Sequence, residues 1–204
     1  MNSTAMNSTA RRTIARVAVC AAVVAVSAGL APAASAATPA APTSTTCYTV
    51  HQQPQWLSSI RLDADEQATM NLVNDFRVRH GVPALRPNHE LALAAGWMSN
   101  DSAIRGLSPS NHVDSLGRGV GPRLQDCGYR TYTWASEVNY FGPGATPRDA
   151  FHWWTEVSTA GHRQALLDPR VIVFGISVAS KDGVNHYTIN MGSTKTFTKL
   201  RAPR

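Results

Sequence analysis

The sequence predicts an α+β fold, and three observations predict it. Met70, Val73, Phe76 and His80 recur at steps of three and four residues, the period of a half-buried helix. Leu91, Ala94, Ala95, Met98, Ser102 and Ile104 repeat the pattern further on. Two β-rich runs close the chain, Val171–Ala179 and His186–Met191, on either side of a turn signal at Asp182-Gly183. Helices first and an antiparallel hairpin last argue against a parallel sheet wound with alternating helices. No internal repeat and no dinucleotide or phosphate-loop glycine pattern is present.

Taken in order, the chain opens with an export signal. Arg11, Arg12 and Arg16 precede an apolar run over Val17–Leu30, and Ala34-Ser35-Ala36 is a small-x-small cleavage site. The apolar run is shorter than the ~20 residues a membrane span needs. Residues 1–36 are therefore expected to be removed, leaving an exported chain that starts near Ala37 and has no integral membrane segment. The repeated Met-Asn-Ser-Thr-Ala unit at the start carries no function of its own.

Residues 37–61 read as a linker and N-terminal extension. Residues 37–46 are rich in Pro, Ala and Thr and have nothing to bury. Trp56 and Leu57 suggest that the remainder packs on the surface of the domain that follows. That domain, residues 62–194, is of the usual size for one hydrophobic core. Asp63 and Glu66 have the spacing of a capping box, so the first helix spans 64–80, with Gly81 ending it and Pro83 preventing its resumption. Asn88 caps the second helix and Gly106 closes it. Residues 107–123, rich in Gly, Ser and Pro, read as a loop holding His112 and Asp114. Thr131–Tyr140 alternates loosely and reads as an extended segment carrying Glu137, with a turn at Phe141-Gly-Pro-Gly.

The third helix begins at a Thr146 N-cap followed by Pro147 at the first helical position. Ala150, Phe151, Trp154 and Val157 make its apolar face, while Trp153 and Glu156, three apart, share another. Ser158-Thr159-Ala160-Gly161 breaks the pattern, and His162 follows at once. A histidine just past such a break is placed to share a cleft with a carboxylate of the preceding helix.

Charge excludes a nucleic-acid partner. The chain has 19 basic and 13 acidic residues. Without the three leader arginines and the basic tail 195–204 (Lys195, Lys199, Arg201 and Arg204), the body is slightly acidic, so no basic face is required. Of three cysteines, Cys20 lies in the leader. Cys47 and Cys127 form an even pair in an oxidising compartment, expected to bridge the extension to the domain, with two free thiols as the alternative.

These landmarks also occur in a recognisable order. Asn74-x-x-Arg77-x-x-x-Gly81-x-x-x-Leu85 closes the first helix; Asn111-His112-Val113-Asp114, Arg123, Gly128-Tyr129 and Glu137 follow; Trp153, Glu156 and Gly161-His162-Arg163 come last, before strands ending in Tyr187 and Gly192. Over roughly residues 66–193 the chain resembles the CAP superfamily, which includes cysteine-rich secretory proteins, antigen five, plant pathogenesis-related group-one proteins and bacterial secreted members. The resemblance implies a three-layer α-β-α sandwich with a small antiparallel sheet and a surface cleft. It implies a cleft tetrad of His112, Glu137, Glu156 and His162, of which His112, His162 and Glu137 are the expected ligands of a divalent metal such as Zn²⁺. Two departures stand out. The usual Gly-Glu-Asn reads Ser136-Glu137-Val138, which moves the Asn to Asn139, and Ser158 competes with Glu156 for the fourth place.

The remaining histidines, His51, His80, His89 and His186, have no convergent partner and read as structural or exposed. Two His with one or two carboxylates can hold Zn²⁺ with an open position for water, but no compact zinc-protease motif is present, nor a Gly-x-Ser-x-Gly elbow. The expectation is a secreted, monomeric, non-enzymatic module, for which the resemblance implies a small hydrophobic ligand, such as a sterol or other lipid, or a cell-envelope component. A metal-dependent hydrolase with Glu137 as general base is the second reading, and a structural envelope protein with a vestigial tetrad the third.

Overall fold

The computed structural model describes Cys47, residues 59–194 and residues 197–200. The leader, the linker, Trp56 and most of the basic tail lie outside the described residues.

A short strand β1 (Ser59–Ile60) precedes helix α1 (Ala64–Arg79). The capping box forms: Glu66 N–H donates to Asp63 Oδ1 at 2.8 Å and Asp63 N–H to Glu66 Oε2 at 3.0 Å. Helix α1 buries Met70, Val73 and Phe76. Strand β2 (Arg86–Pro87) leads into helix α2 (His89–Arg105), where Asn88 Oδ1 accepts from Leu91 N–H at 2.9 Å. Gly106 ends α2 in the left-handed region, φ 66°.

Helix α3 (Val120–Asp126) starts inside the stretch whose composition reads as loop. Its Gly and Pro hide it, but Pro122 falls in the first turn, where a helix needs no N–H donor. Strand β3 (Ala135–Pro143) runs through the expected Phe141-Gly-Pro turn. It is an edge strand, where Gly and Pro are tolerated, and the chain reverses only at Gly144. Helix α4 (Pro147–His152) carries the predicted Thr146 cap and passes directly into a π-helical turn, Trp153–Val157. Helix α5 (His162–Leu166) follows. Strands β4 (Val173–Lys181) and β5 (Val184–Gly192) form the hairpin. Its two turn residues, Asp182 and Gly183, both have positive φ, at 51° and 75°, as a type I′ turn demands. Strand β6 (Lys199–Leu200) pairs with β1.

The main sheet has the order β2-β4-β5-β3. It is mixed, because β2 joins β4 in parallel while the other pairs are antiparallel. The register sorts its faces. Phe174, Ile176, Ile189, Met191 and Val138 share one face and pack with Met70, Val73 and Phe76 of α1, Ala150 of α4 and Trp154. The opposite face carries Gly175, Asn190 and Glu137 in one row and Ser177, Thr188 and Asn139 in the next. Helix α2 lies against this polar face, so closely that a Cβ on Gly175 would collide with the backbone of Leu91 and Ala92. The sandwich is α-β-α. Cys47 and Cys127 are disulfide-bonded and join a second buried cluster with Leu91, Ala94, Leu124 and Tyr129.

Candidate functional site

Glu137 sits on β3 with its side chain wholly buried on the polar sheet face. A carboxylate removed from water needs compensating charge and donors. Arg123 of α3, itself fully buried, donates from Nη2 to Glu137 Oε2 at 2.6 Å. His112 Nδ1 lies 2.9 Å from Oε1, and Asn139 Nδ2 donates to the same oxygen at 3.1 Å. With its amide turned to satisfy both neighbours, Asn190 donates to Oε2 at 2.9 Å. Both carboxylate oxygens are therefore committed.

His112 reaches Glu137 from the loop between α2 and α3. Its own φ is 58°, a left-handed conformation uncommon for a residue with a Cβ. The loop is held by Asp114, buried beneath it, which accepts from Leu116 N–H, Arg118 N–H, Arg118 Nε and Trp97 Nε1 at 2.9–3.0 Å. Arg123 Nη1 also donates to the His112 carbonyl at 3.2 Å. One guanidinium thus fixes both the carboxylate and the backbone of the residue that pairs with it.

His162 opens α5 directly after Gly161, whose φ of 86° lets the chain turn there. Its ring lies 5.0 Å from that of Trp153, and its Nδ1 is 2.6 Å from Ser158 Oγ. Burial, and secondly the nearby His112, push its pKa below the ordinary imidazole value.

The four expected tetrad residues thus have different surroundings. His112 and Glu137 touch. His162 lies near enough to His112 to feel its charge. Glu156 points elsewhere: its side chain is 57% exposed and pairs with Arg163 at 3.2 Å. Arg163 in turn reaches His80 Nε2 at 3.3 Å and stacks over Phe76 of α1. The π-helical turn explains the departure. In its wider coil, closed by Ser158 N–H to the Trp153 carbonyl at 2.8 Å, each residue advances less round the axis than in an α-helix, so Glu156 falls short of the face of Trp153. Ser158 stands beside His162 instead.

Two participants had weak sequence signals. Arg123 is visible only as a landmark, since nothing in the local pattern says that a basic side chain will be buried. Asn139 is visible as a displaced Asn two residues after Glu137. The pocket lined by Arg61, Asp63, Gln67 and Asn71 opens at the start of α1 and contains none of these residues.

A resident metal does not fit this donor set. Among the described residues no group of three or more His, Cys, Asp and Glu side chains is arranged to hold an ion. Glu137, the expected third ligand, has its oxygens engaged by Arg123, His112 and Asn139.

Comparison with known proteins agrees with the architecture. The model of the cysteine-rich secretory protein family, CAP, matches residues 70–191. This covers more than half of the chain, which belongs to that family. Among solved structures, an outer surface protein of Borrelia burgdorferi superposes with a TM-score of 0.57 at 14% identity, covering 66% of this chain and 97% of that one. An extracellular protein containing an SCP domain from Bacillus anthracis superposes with a TM-score of 0.52 at 24% identity, over 67% of this chain and 45% of that one. This chain therefore spans less than half the length of the B. anthracis protein. At these identities the likeness is one of fold. No curated protein sequence matches. Among the described residues no helix is long and apolar enough to cross a membrane.

Proposed function

We propose that this is an exported CAP-domain protein that acts without turnover, using the His112–His162 cleft to recognise a small hydrophobic ligand or a cell-envelope component. The observation that carries the reading is the commitment of Glu137. A general base must have a lone pair free for the proton it takes. Here Arg123, His112 and Asn139 occupy the carboxylate, so it orients His112 rather than acting on substrate. The metal-dependent hydrolase loses both its base and its third ligand by the same contacts. Trp153, half-buried beside His162, offers an aromatic surface to an apolar ligand.

The test is capture. Mature protein, beginning near Ala37, is incubated with envelope lipids and wall fragments, and bound species are identified by mass spectrometry. Capture that survives a chelator and falls in His112→Ala is the expected result. Chelator-sensitive hydrolysis of a captured ester or amide would establish the hydrolase instead.

A further inference from the structure

Helix α5 presents His162 at its first position and is only five residues long. Ala165 N–H donates to the Gly161 carbonyl at 2.9 Å and Leu167 N–H to the Arg163 carbonyl at 3.1 Å. A helix this short does not hold itself in water and takes its stability from outside contacts. Leu166 is fully buried in the core and anchors the helix at one point. A single anchor leaves a short helix free to pivot, so the direction of α5, and with it the place of His162, must be fixed by another contact.

That contact comes from Arg77 of α1, 1% exposed on the apolar side of the sheet. Its Nε donates to the Pro83 carbonyl at 2.9 Å, which ties the guanidinium to the turn after α1. Its Nη1 donates to the carbonyls of Leu166 at 2.5 Å and Asp168 at 3.2 Å, and its Nη2 to that of Val171 at 3.0 Å. Leu166 is the last residue of α5, and Asp168 and Val171 lie in the segment that leads to β4. The last carbonyls of a helix lack partners within it and form its negative end, so a cation with several donors suits them. The planar fork reaches three carbonyls at once, which an ammonium group at the end of a flexible stem does not reproduce. Burial pushes the Arg77 pKa down to about 10, against the pull of Asp168, and the group remains charged at neutral pH.

His112 and His162 are therefore held by different buried guanidinium groups. Arg123 fixes Glu137 and the His112 carbonyl. Arg77 fixes the helix that presents His162. We propose that Arg77 is a positioning residue of the cleft, which sets where His162 stands beside Trp153 by gripping the C-terminal end of α5 from α1, independently of the Arg123–Glu137 pair. The proposal rests on the reading of this cleft as the functional site, and it gives a role there to a side chain that touches neither histidine.

Arg77→Lys keeps the charge and loses the fork. The nuclear Overhauser effect between the rings of Trp153 and His162, whose centroids are 5.0 Å apart, reads the position directly. In a folded Arg77→Lys protein this signal should weaken, and the amide resonances of Gly161, His162 and Arg163 should shift while those of His112 and Glu137 stay. A wild-type signal with unmoved α5 amides overturns the proposal. So does an equal shift at His112 and Glu137, which is what general loosening would give. Where the variant does not fold, hydrogen exchange in the wild-type protein decides. The amides of Ala165 and Leu167 should open with those of α1, within about tenfold, as parts of one cooperative unit. A larger excess of local opening in α5 overturns the proposal. Failure to capture any envelope component would remove the function proposed above and leave these measurements untouched, so the two readings fail separately.

Discussion

Glu137 and Glu66 are buried to nearly the same degree, 7% and 5% exposed, yet the fold treats them differently. Glu137 faces the polar side of the sheet and meets a fully buried guanidinium at 2.6 Å. Glu66 lies at the other edge of the sheet, where β4 has no strand partner beyond the two residues paired with β2. There it accepts from the backbone N–H of Val178 at 3.3 Å and of Asp63 at 3.0 Å. The charge that acts on it is Asp63, of the same sign. Burial, and secondly that neighbour, raise its pKa from 4.5 to about 7. Burial alone therefore does not mark a carboxylate for function. Glu137 is held by its own cation, whereas Glu66 is buried beside a carboxylate of like charge.

The largest effect should come from removing the cation. Arg123→Met leaves the Glu137 carboxylate buried and uncompensated, a change that typically costs about 3–5 kcal/mol. It also releases the His112 carbonyl. Chemical denaturation is expected to show a loss of this size, with part of it recovered in the double variant Arg123→Met, Glu137→Gln, which removes the charge as well. A cost below about 1 kcal/mol would mean that Arg123 and Glu137 are not coupled as the geometry indicates.

Glu66 sharpens the contrast through pH. Its folded-state pKa lies above its unfolded value, so the folded protein binds this proton more tightly. Its contribution to stability is therefore greatest at low pH, declines as pH rises from about 4.5 to about 7, and is level beyond. A shift of this size corresponds to roughly 3 kcal/mol across the window. Glu66→Gln keeps a residue able to complete a capping box and removes the titration. The variant should lack the Glu66 decline, so its unfolding free energy should gain on that of the wild type as pH rises through the range and should exceed it above pH 7. A wild-type profile that rises over this window more steeply than that of the variant would contradict the assigned pKa.

Much of this framework was legible in the sequence because it follows from local chemistry. The Asp63, Asn88 and Thr146 caps, the left-handed Gly106 and the Asp182-Gly183 turn each need a residue type at one position, and those residues stand there. The likeness carried by Asn111-His112, Glu137 and Gly161-His162-Arg163 put the α-β-α layers in reach. What could not be read depends on tertiary or near-tertiary geometry. Arg123 gives no sign that it will be buried, since its partner is fourteen residues away on another element. Helix α3 was hidden by its Gly and Pro. Glu156 was drawn toward the cleft by an α-helical count that the π-helical turn changes.

Glu156 supplies the smallest expected effect and the sharpest check on the division between scaffold charge and surface charge. It is exposed, its partner Arg163 is partly exposed, and such pairs are worth about 0–1 kcal/mol at most. Arg163 retains the Thr155 carbonyl at 3.1 Å and its place over Phe76 when the carboxylate is neutralised. Glu156→Gln should therefore change the unfolding free energy by less than about 0.5 kcal/mol. It should leave the His112 and His162 ring signals where they are, since no contact joins Glu156 to either imidazole among the described residues. Ser158→Ala should instead move the His162 signals and leave those of Arg163 unchanged. If Glu156→Gln shifted the His162 ring as far as Ser158→Ala does, the carboxylate would belong to the cleft after all. Glu156 would then act on His162 alongside Ser158, whose Oγ lies 2.6 Å from the ring.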